Sequence, residues 1–114
     1  MKIINRDLFY ITPKQALFDW YLKSFPDDPV FSNEADFHDH ASIYLIPEFE
    51  DSWEALQWME KDWEQWFATL FELWCTDESL WPRDRNWKLL NDFFAITYQS
   101  LIFDTVRLPI RKDD

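Results

Sequence analysis

The chain has 114 residues, 47% apolar and 20% aromatic, with eight Trp and eleven Phe. That is far too many core-forming rings for a disordered acidic tail, and the length suits one domain. The formal charge of −11 is unevenly spread: Asp27 to Glu78 hold fifteen of the twenty-two acids against one base, Lys61. A segment at −14 repels phosphate backbones and anionic head groups, which argues against nucleic acid and membrane and for a basic partner, a metal ion or solubility alone.

The chain contains no glycine. Phosphate-cradling loops need glycine for close backbone approach and nucleophile elbows need small residues at a strained turn, so both classes are excluded. No apolar run of about eighteen residues and no basic leader before an apolar stretch is present, so neither a membrane span nor a signal peptide is expected. Cys75 is the only cysteine, which rules out an internal disulfide and makes a cytoplasmic setting the expectation.

In chain order, Leu8-Phe9-Tyr10-Ile11 predicts a short strand reaching back toward Ile3. Thr12 as N-cap, Pro13 at the first helical position and Gln15 at the third predict a helix running to about Phe25 and stopped by Pro26. The acidic connection from Pro26 to His40 has no periodicity and reads as a loop. Ser42-Ile43-Tyr44-Leu45-Ile46, closed by Pro47, predicts a strand with both faces covered, the centre of the sheet.

The strongest periodicity follows. From Asp51 to Cys75 apolar residues recur at helical spacing, with Leu56, Met59, Trp63, Trp66, Phe67, Leu70, Leu73 and Trp74 on one arc. This predicts one continuous amphipathic helix of about six turns. Trp58 falls in its polar arc and Glu60 inside its apolar edge. Pro82 or Asp84 then opens a third helix with Trp87, Leu90 and Phe94 on one face, and Ile96 to Val106 predicts a long strand. The order β-α-β-α-α-β makes residues 1–114 a single small α+β domain, a three-stranded sheet with helices packed on it.

Several groups qualify as sites. His38 and His40, among Glu34, Asp36 and Asp39, have donor types suited to Zn²⁺ or Ni²⁺, but no further histidine completes the set, and a solvated acidic loop is the plainer reading. Glu48, Glu50 and Asp51 cluster where a strand passes into the long helix and offer paired carboxylates for acid–base chemistry or a divalent cation. Helix capping by Asp51 and Glu54 explains the same residues without a ligand. Trp58, on the polar side with Glu54, Asp62 and Glu64 around it, has the character of an interface anchor with an acidic rim. Trp81 and Arg85 suit a structural cation–π pair, and Cys75 suits packing rather than nucleophilic chemistry.

Ile46-Pro47-Glu48 after a strand, the Trp-rich acidic helix, Trp74 with Asp77, and Leu80-Trp81-Pro82 with Arg85 together resemble a widespread family of small acidic bacterial proteins. The likeness spans Tyr44 to Asp104. It implies a bacterial, cytoplasmic single domain, and since the family has no assigned activity it carries over no catalytic residue and no cofactor.

The leading expectation is a non-enzymatic protein-binding module, of inhibitor or immunity type, that masks a basic partner surface with Trp58, Glu54, Asp62, Glu64 and Glu48. The alternatives are a carboxylate and divalent-metal enzyme using Glu48, Glu50 and Asp51, and a structural subunit that self-associates. No catalytic residue, metal or cofactor belongs to the leading reading.

Overall fold

The alternation of Asp7, Phe9, Ile11 and Pro13 with Leu8, Tyr10 and Thr12 sends every second side chain of one strand into the core. In the computed structural model, which describes residues 1–27 and 40–113, that strand is the centre of the sheet. The elements are β1 (Lys2–Ile3), β2 (Asp7–Pro13), α1 (Gln15–Ser24), β3 (Ser42–Ile46), α2 (Ser52–Glu60), α3 (Trp63–Glu72), α4 (Trp87–Phe93), β4 (Phe94–Gln99) and β5 (Phe103–Asp104). The fold is α+β, with a three-stranded antiparallel sheet in the order β3-β2-β4 and a separate two-stranded ribbon, β1-β5.

Register places Leu8 opposite Leu45 and Gln99, and Tyr10 opposite Ile43 and Thr97. One sheet face therefore carries Phe9, Ile11, Tyr44, Ile46, Phe94, Ile96 and Tyr98 under the helices, and the other carries Tyr10, Ile43 and Leu45, which remain exposed. β3 is thus an outer strand of this sheet, not its centre. Both strands are short and apolar, and what separates them is that β2 pairs along both sides.

Pro13 does not open α1. It closes β2, buried and paired with Phe94, and the helix begins after Lys14, which makes no side-chain capping bond. The Lys14 N–H instead donates to Phe93 O at 2.8 Å, tying the strand-to-helix corner to α4. Leu17, Phe18 and Tyr21 form the buried stripe of α1.

The predicted six-turn helix is two helices. Lys61 and Asp62 interrupt it: the Asp62 N–H closes a tight turn onto Met59 O at 3.1 Å, and Asp62, at φ −121°, precedes α3. Length explains the break. A straight helix from 51 to 75 would be about 37 Å long, whereas strands of five to seven residues cover about 17–24 Å. No single stripe that long finds sheet to lie on. After the break α3 lays Phe67, Leu70 and Phe71 into the core, while α2 buries only Ala55 and Met59.

Phe71 is the packing centre. Its ring stacks on Phe67 with centroids 4.5 Å apart and meets Trp20 at 5.3 Å, Phe93 at 5.6 Å, Trp81 at 5.7 Å and Phe94 at 5.8 Å. Trp81 is buried and its indole N–H donates to Cys75 O at 2.9 Å, so the 75–81 turn closes over this cluster. Arg85 lies over the Trp81 ring at 5.4 Å and pairs with Glu78 at 3.0 Å, in keeping with the structural role expected for that pair. Cys75 is buried, with its thiol directed at Asp77 O.

α4 starts later than either expected position. Asn86 is its N-cap, accepting from Leu89 N at 2.7 Å, and Pro82 and Asp84 precede it. The expected long strand is also divided: β4 ends at Gln99, the chain is kinked at Leu101, φ 59°, and runs on as β5, which pairs with β1 through Lys2 opposite Asp104 and Ile3 opposite Phe103, one residue out of step with the Leu8–Gln99 register of β2 and β4. Leucine is disfavoured in that left-handed region, so sequence propensity reads straight through the kink.

Candidate functional site

A buried carboxylate anchors the site. Asp7 opens β2 in the same phase as Phe9 and Ile11, which turns it inward, 5% exposed. Its Oδ2 accepts from Phe49 N at 2.8 Å and from the Tyr98 hydroxyl, and that hydroxyl also lies 3.1 Å from Phe49 O. One acid from β2 and one phenol from β4 therefore clamp both polar groups of Phe49 in the turn after β3. Loss of surrounding water pushes the Tyr98 pKa up to about 12, helped by the hydrogen bond to Asp7 and by the negative charges of Asp7, Asp51 and Glu54.

The clamp positions an aromatic seat. The Phe49 ring lies 5.5 Å from Trp58 of α2, and Trp66 of α3 meets Trp58 edge-on at 6.2 Å. Trp66 is held in turn by Phe9 at 5.9 Å and Tyr44 at 5.2 Å. Trp58 is backed by two rings and still 38% exposed. The break between α2 and α3 makes this possible, because it lets a side chain on the polar arc of one helix meet one on the apolar arc of the next.

The N-terminus of α2 is capped. Asp51 Oδ1 accepts from Glu54 N at 2.9 Å, and Glu54 Oε2 accepts from Glu50 N at 3.3 Å, a capping-box variant that supports the seat from below. Glu54 lies four residues before Trp58 within α2 and falls roughly 40° from it around the helix axis, while Asp62 stands just past the end of α2, in the turn before α3. Asp51, Glu54 and Asp62 are exposed, with Lys61 the nearby base. Glu48 is exposed beside Phe49.

The structure separates Glu64 from this group. It faces away from Trp66 and lines a groove of about 360 Å³ with Trp63, Ala68, Glu72, Glu78, Trp81 and Arg85. Glu60 is exposed, and so is Trp53 at 67%, which lies roughly 140° around α2 from Trp58. Trp53 belongs to the outer surface.

Of the expected histidine and acid group, Glu34, Asp36, His38 and Asp39 lie outside the described residues. His40 meets the Trp74 ring at 5.7 Å beside an apolar cavity of about 460 Å³ lined by Ile11, Tyr21, Leu70 and Phe94. Among the described residues no three His, Cys, Asp or Glu side chains gather as a metal site. Asp51, one of the three carboxylates considered for acid–base work, is occupied as a helix cap.

Asp7, Phe49 and Tyr98 were not singled out by sequence reasoning. The signal was present for Asp7, since period two from Phe9 and Ile11 turns it inward, where a carboxylate needs partners. Nothing in the sequence names Phe49 N as that partner.

Comparisons with protein families, curated proteins and solved structures give no match to this chain. The resemblance drawn from Ile46-Pro47-Glu48 and Leu80-Trp81-Pro82 therefore adds nothing to the site, which stands on its own side chains. Among the described residues no helix is long and apolar enough to cross a membrane.

Proposed function

We propose that this protein is a non-enzymatic binding module of the bacterial cytoplasm whose Trp58 flank, with Asp51, Glu54, Asp62 and Glu48, masks a basic surface on another protein. The observation that carries this is the seat itself: Trp58 has its back fixed by Phe49 and Trp66 and its free edge exposed among carboxylates. A pre-ordered aromatic loses little entropy on binding, and its acidic rim steers and registers a cationic partner. Inhibition of a nucleic-acid enzyme fits this chemistry, since carboxylates placed where phosphates bind exclude the substrate. Self-association through the same flank is the second use of the surface.

The test is affinity capture from a lysate with the wild type and with Trp58→Ala, at about 50 mM and about 500 mM salt, where screening shortens from roughly 14 Å to 4 Å. The expected result is a basic protein retained by the wild type at low salt, released at high salt and missing with Trp58→Ala. Identical retention by both proteins, or retention indifferent to salt, overturns the proposal.

A further inference from the structure

The segment Val106-Arg107-Leu108-Pro109-Ile110-Arg111-Lys112 holds three of the chain's eleven bases in seven residues and no acid. It begins where Val106 N donates to Asp104 Oδ1 at 2.9 Å, and beyond that it forms neither helix nor strand. Val106, Leu108 and Ile110 are 63%, 75% and 76% exposed. Three apolar side chains left in water beside three cations make a surface that a protein keeps for contact. The most acidic aromatic surface described above lies on the same molecule.

We propose that residues 106–112 of one molecule dock on the Trp58 flank of a second copy, and that reciprocal exchange closes a two-fold dimer. This rests on the reading of the Trp58 flank as a binding surface and names its occupant. Charge complementarity argues for it: the segment brings Arg107 and Arg111 with three apolar residues between them and no acid, and the flank brings Glu54 one turn before Trp58 and Asp62 in the turn that ends α2. A guanidinium meets a carboxylate while the apolar residues between the arginines cover the indole. Arg, not Lys, occupies both outer positions, the residue whose planar fork pairs with a carboxylate through two bonds. Two identical surfaces and two identical segments satisfy each other only through a two-fold axis, which leaves no open end.

The experiment is sedimentation of the full chain over a concentration series, for the wild type, for Arg107→Glu with Arg111→Glu, for Glu54→Lys with Asp62→Lys, and for an equimolar mixture of the two variants. The wild type is expected to dimerise at low salt and each double variant to lose at least about tenfold in association. The mixture is expected to recover it, because each reversed segment meets a reversed flank. Because Glu54 also caps α2, Asp62→Lys alone serves as the milder flank variant and is expected to weaken association in the same direction. A wild type that stays monomeric up to about 1 mM, where any specific contact of more than about 4 kcal/mol is populated, overturns the proposal. So does a dimer that survives either reversal, or a mixture that stays apart. Trp58-dependent capture of a basic protein by the Arg107→Glu, Arg111→Glu variant would leave the flank reading standing while self-docking failed; loss of Trp58 dependence in both assays would remove both.

Discussion

α2 and α3 come from one uninterrupted run of similar composition, yet one is a surface helix and the other builds the core. α3 buries Phe67, Leu70 and Phe71, whereas α2 buries Ala55 and Met59 and leaves Trp53 and Trp58 in contact with solvent. α3 is the more hydrophobic of the two, but the turn at Lys61 and Asp62 also resets the phase, so that aromatic residues fall inward in one helix and outward in the other. Within this run an aromatic ring is covered or exposed according to which side of that turn it stands on.

The sharpest way to break the comparison is to place a charge in each helix. Leu70→Asp in α3 puts an unpaired carboxylate at a site 1% exposed, and a loss of about 4 kcal/mol or more, enough to unfold the domain, is expected. Gln65→Asp on the exposed side of the same helix is expected to shift stability by less than about 0.5 kcal/mol. Thermal and urea melts of the two variants settle it, and equal tolerance would show α3 to be misphased.

A smaller effect is expected from the clamp that supports the α2 surface. Asp7→Ala orphans Phe49 N and takes from the Tyr98 hydroxyl one of its acceptors, a cost of about 2–3 kcal/mol. Asp7→Asn, which keeps an acceptor oxygen, should cost less. If the clamp positions the seat, Trp58 fluorescence should shift to the red in Asp7→Ala while the protein is still folded.

The two exposed tryptophans sharpen the comparison within α2. Trp58→Ala removes ring contacts to Phe49 and Trp66 at a half-covered site, and about 1–2 kcal/mol is expected. Trp53→Ala, at a site 67% exposed, is expected to cost less than about 0.5 kcal/mol. Denaturant midpoints with unchanged slopes would establish the ranking. A tryptophan with no ring contacts would be nearly neutral to remove, and the Phe49 and Trp66 contacts set Trp58 apart from that case.

The mildest effect concerns pH. The Tyr98 pKa is raised in the folded protein to about 12 from an ordinary 10. The unfolded chain therefore gives up its phenolic proton first. The stability contributed by neutral Tyr98 is complete below pH 10 and lost as pH rises toward 12. A shallow fall in melting temperature across that window is expected, and Tyr98→Phe should flatten the part of it that belongs to this residue.

The class of fold and the existence of most elements were legible in the sequence, because alternation in Asp7 to Pro13 and helical spacing around Leu70 are strong periodic signals. The divisions were not. A helix break at Glu60-Lys61-Asp62 contains neither proline nor glycine, and only the capping-box spacing of Asp62 with Gln65 hinted at it. The kink at Leu101 carries no turn residue except Ser100. In a chain without glycine the usual punctuation is missing, so tertiary packing decides where elements stop. Around Trp58, helical spacing gives Glu54 one turn before it, whereas Asp62 falls in the turn between α2 and α3 and Glu64 lines a groove with Trp81 and Arg85. The Asp7, Phe49 and Tyr98 clamp joins segments 42 and 91 residues apart in sequence and has no local signature.

The left-handed Leu101 has a consequence for how the molecule comes apart. A leucine in that conformation stores about 1–2 kcal/mol, and the ribbon it holds against β1 is only two residues wide on each strand. Opening the ribbon releases that energy while the three-stranded sheet stays intact, so the two sheets should not melt together. Backbone amides at Ile4 and Phe103 should exchange with deuterium well before those of Phe9 and Ile11, and a protease added to the native protein should find its first cut between Gln99 and Phe103.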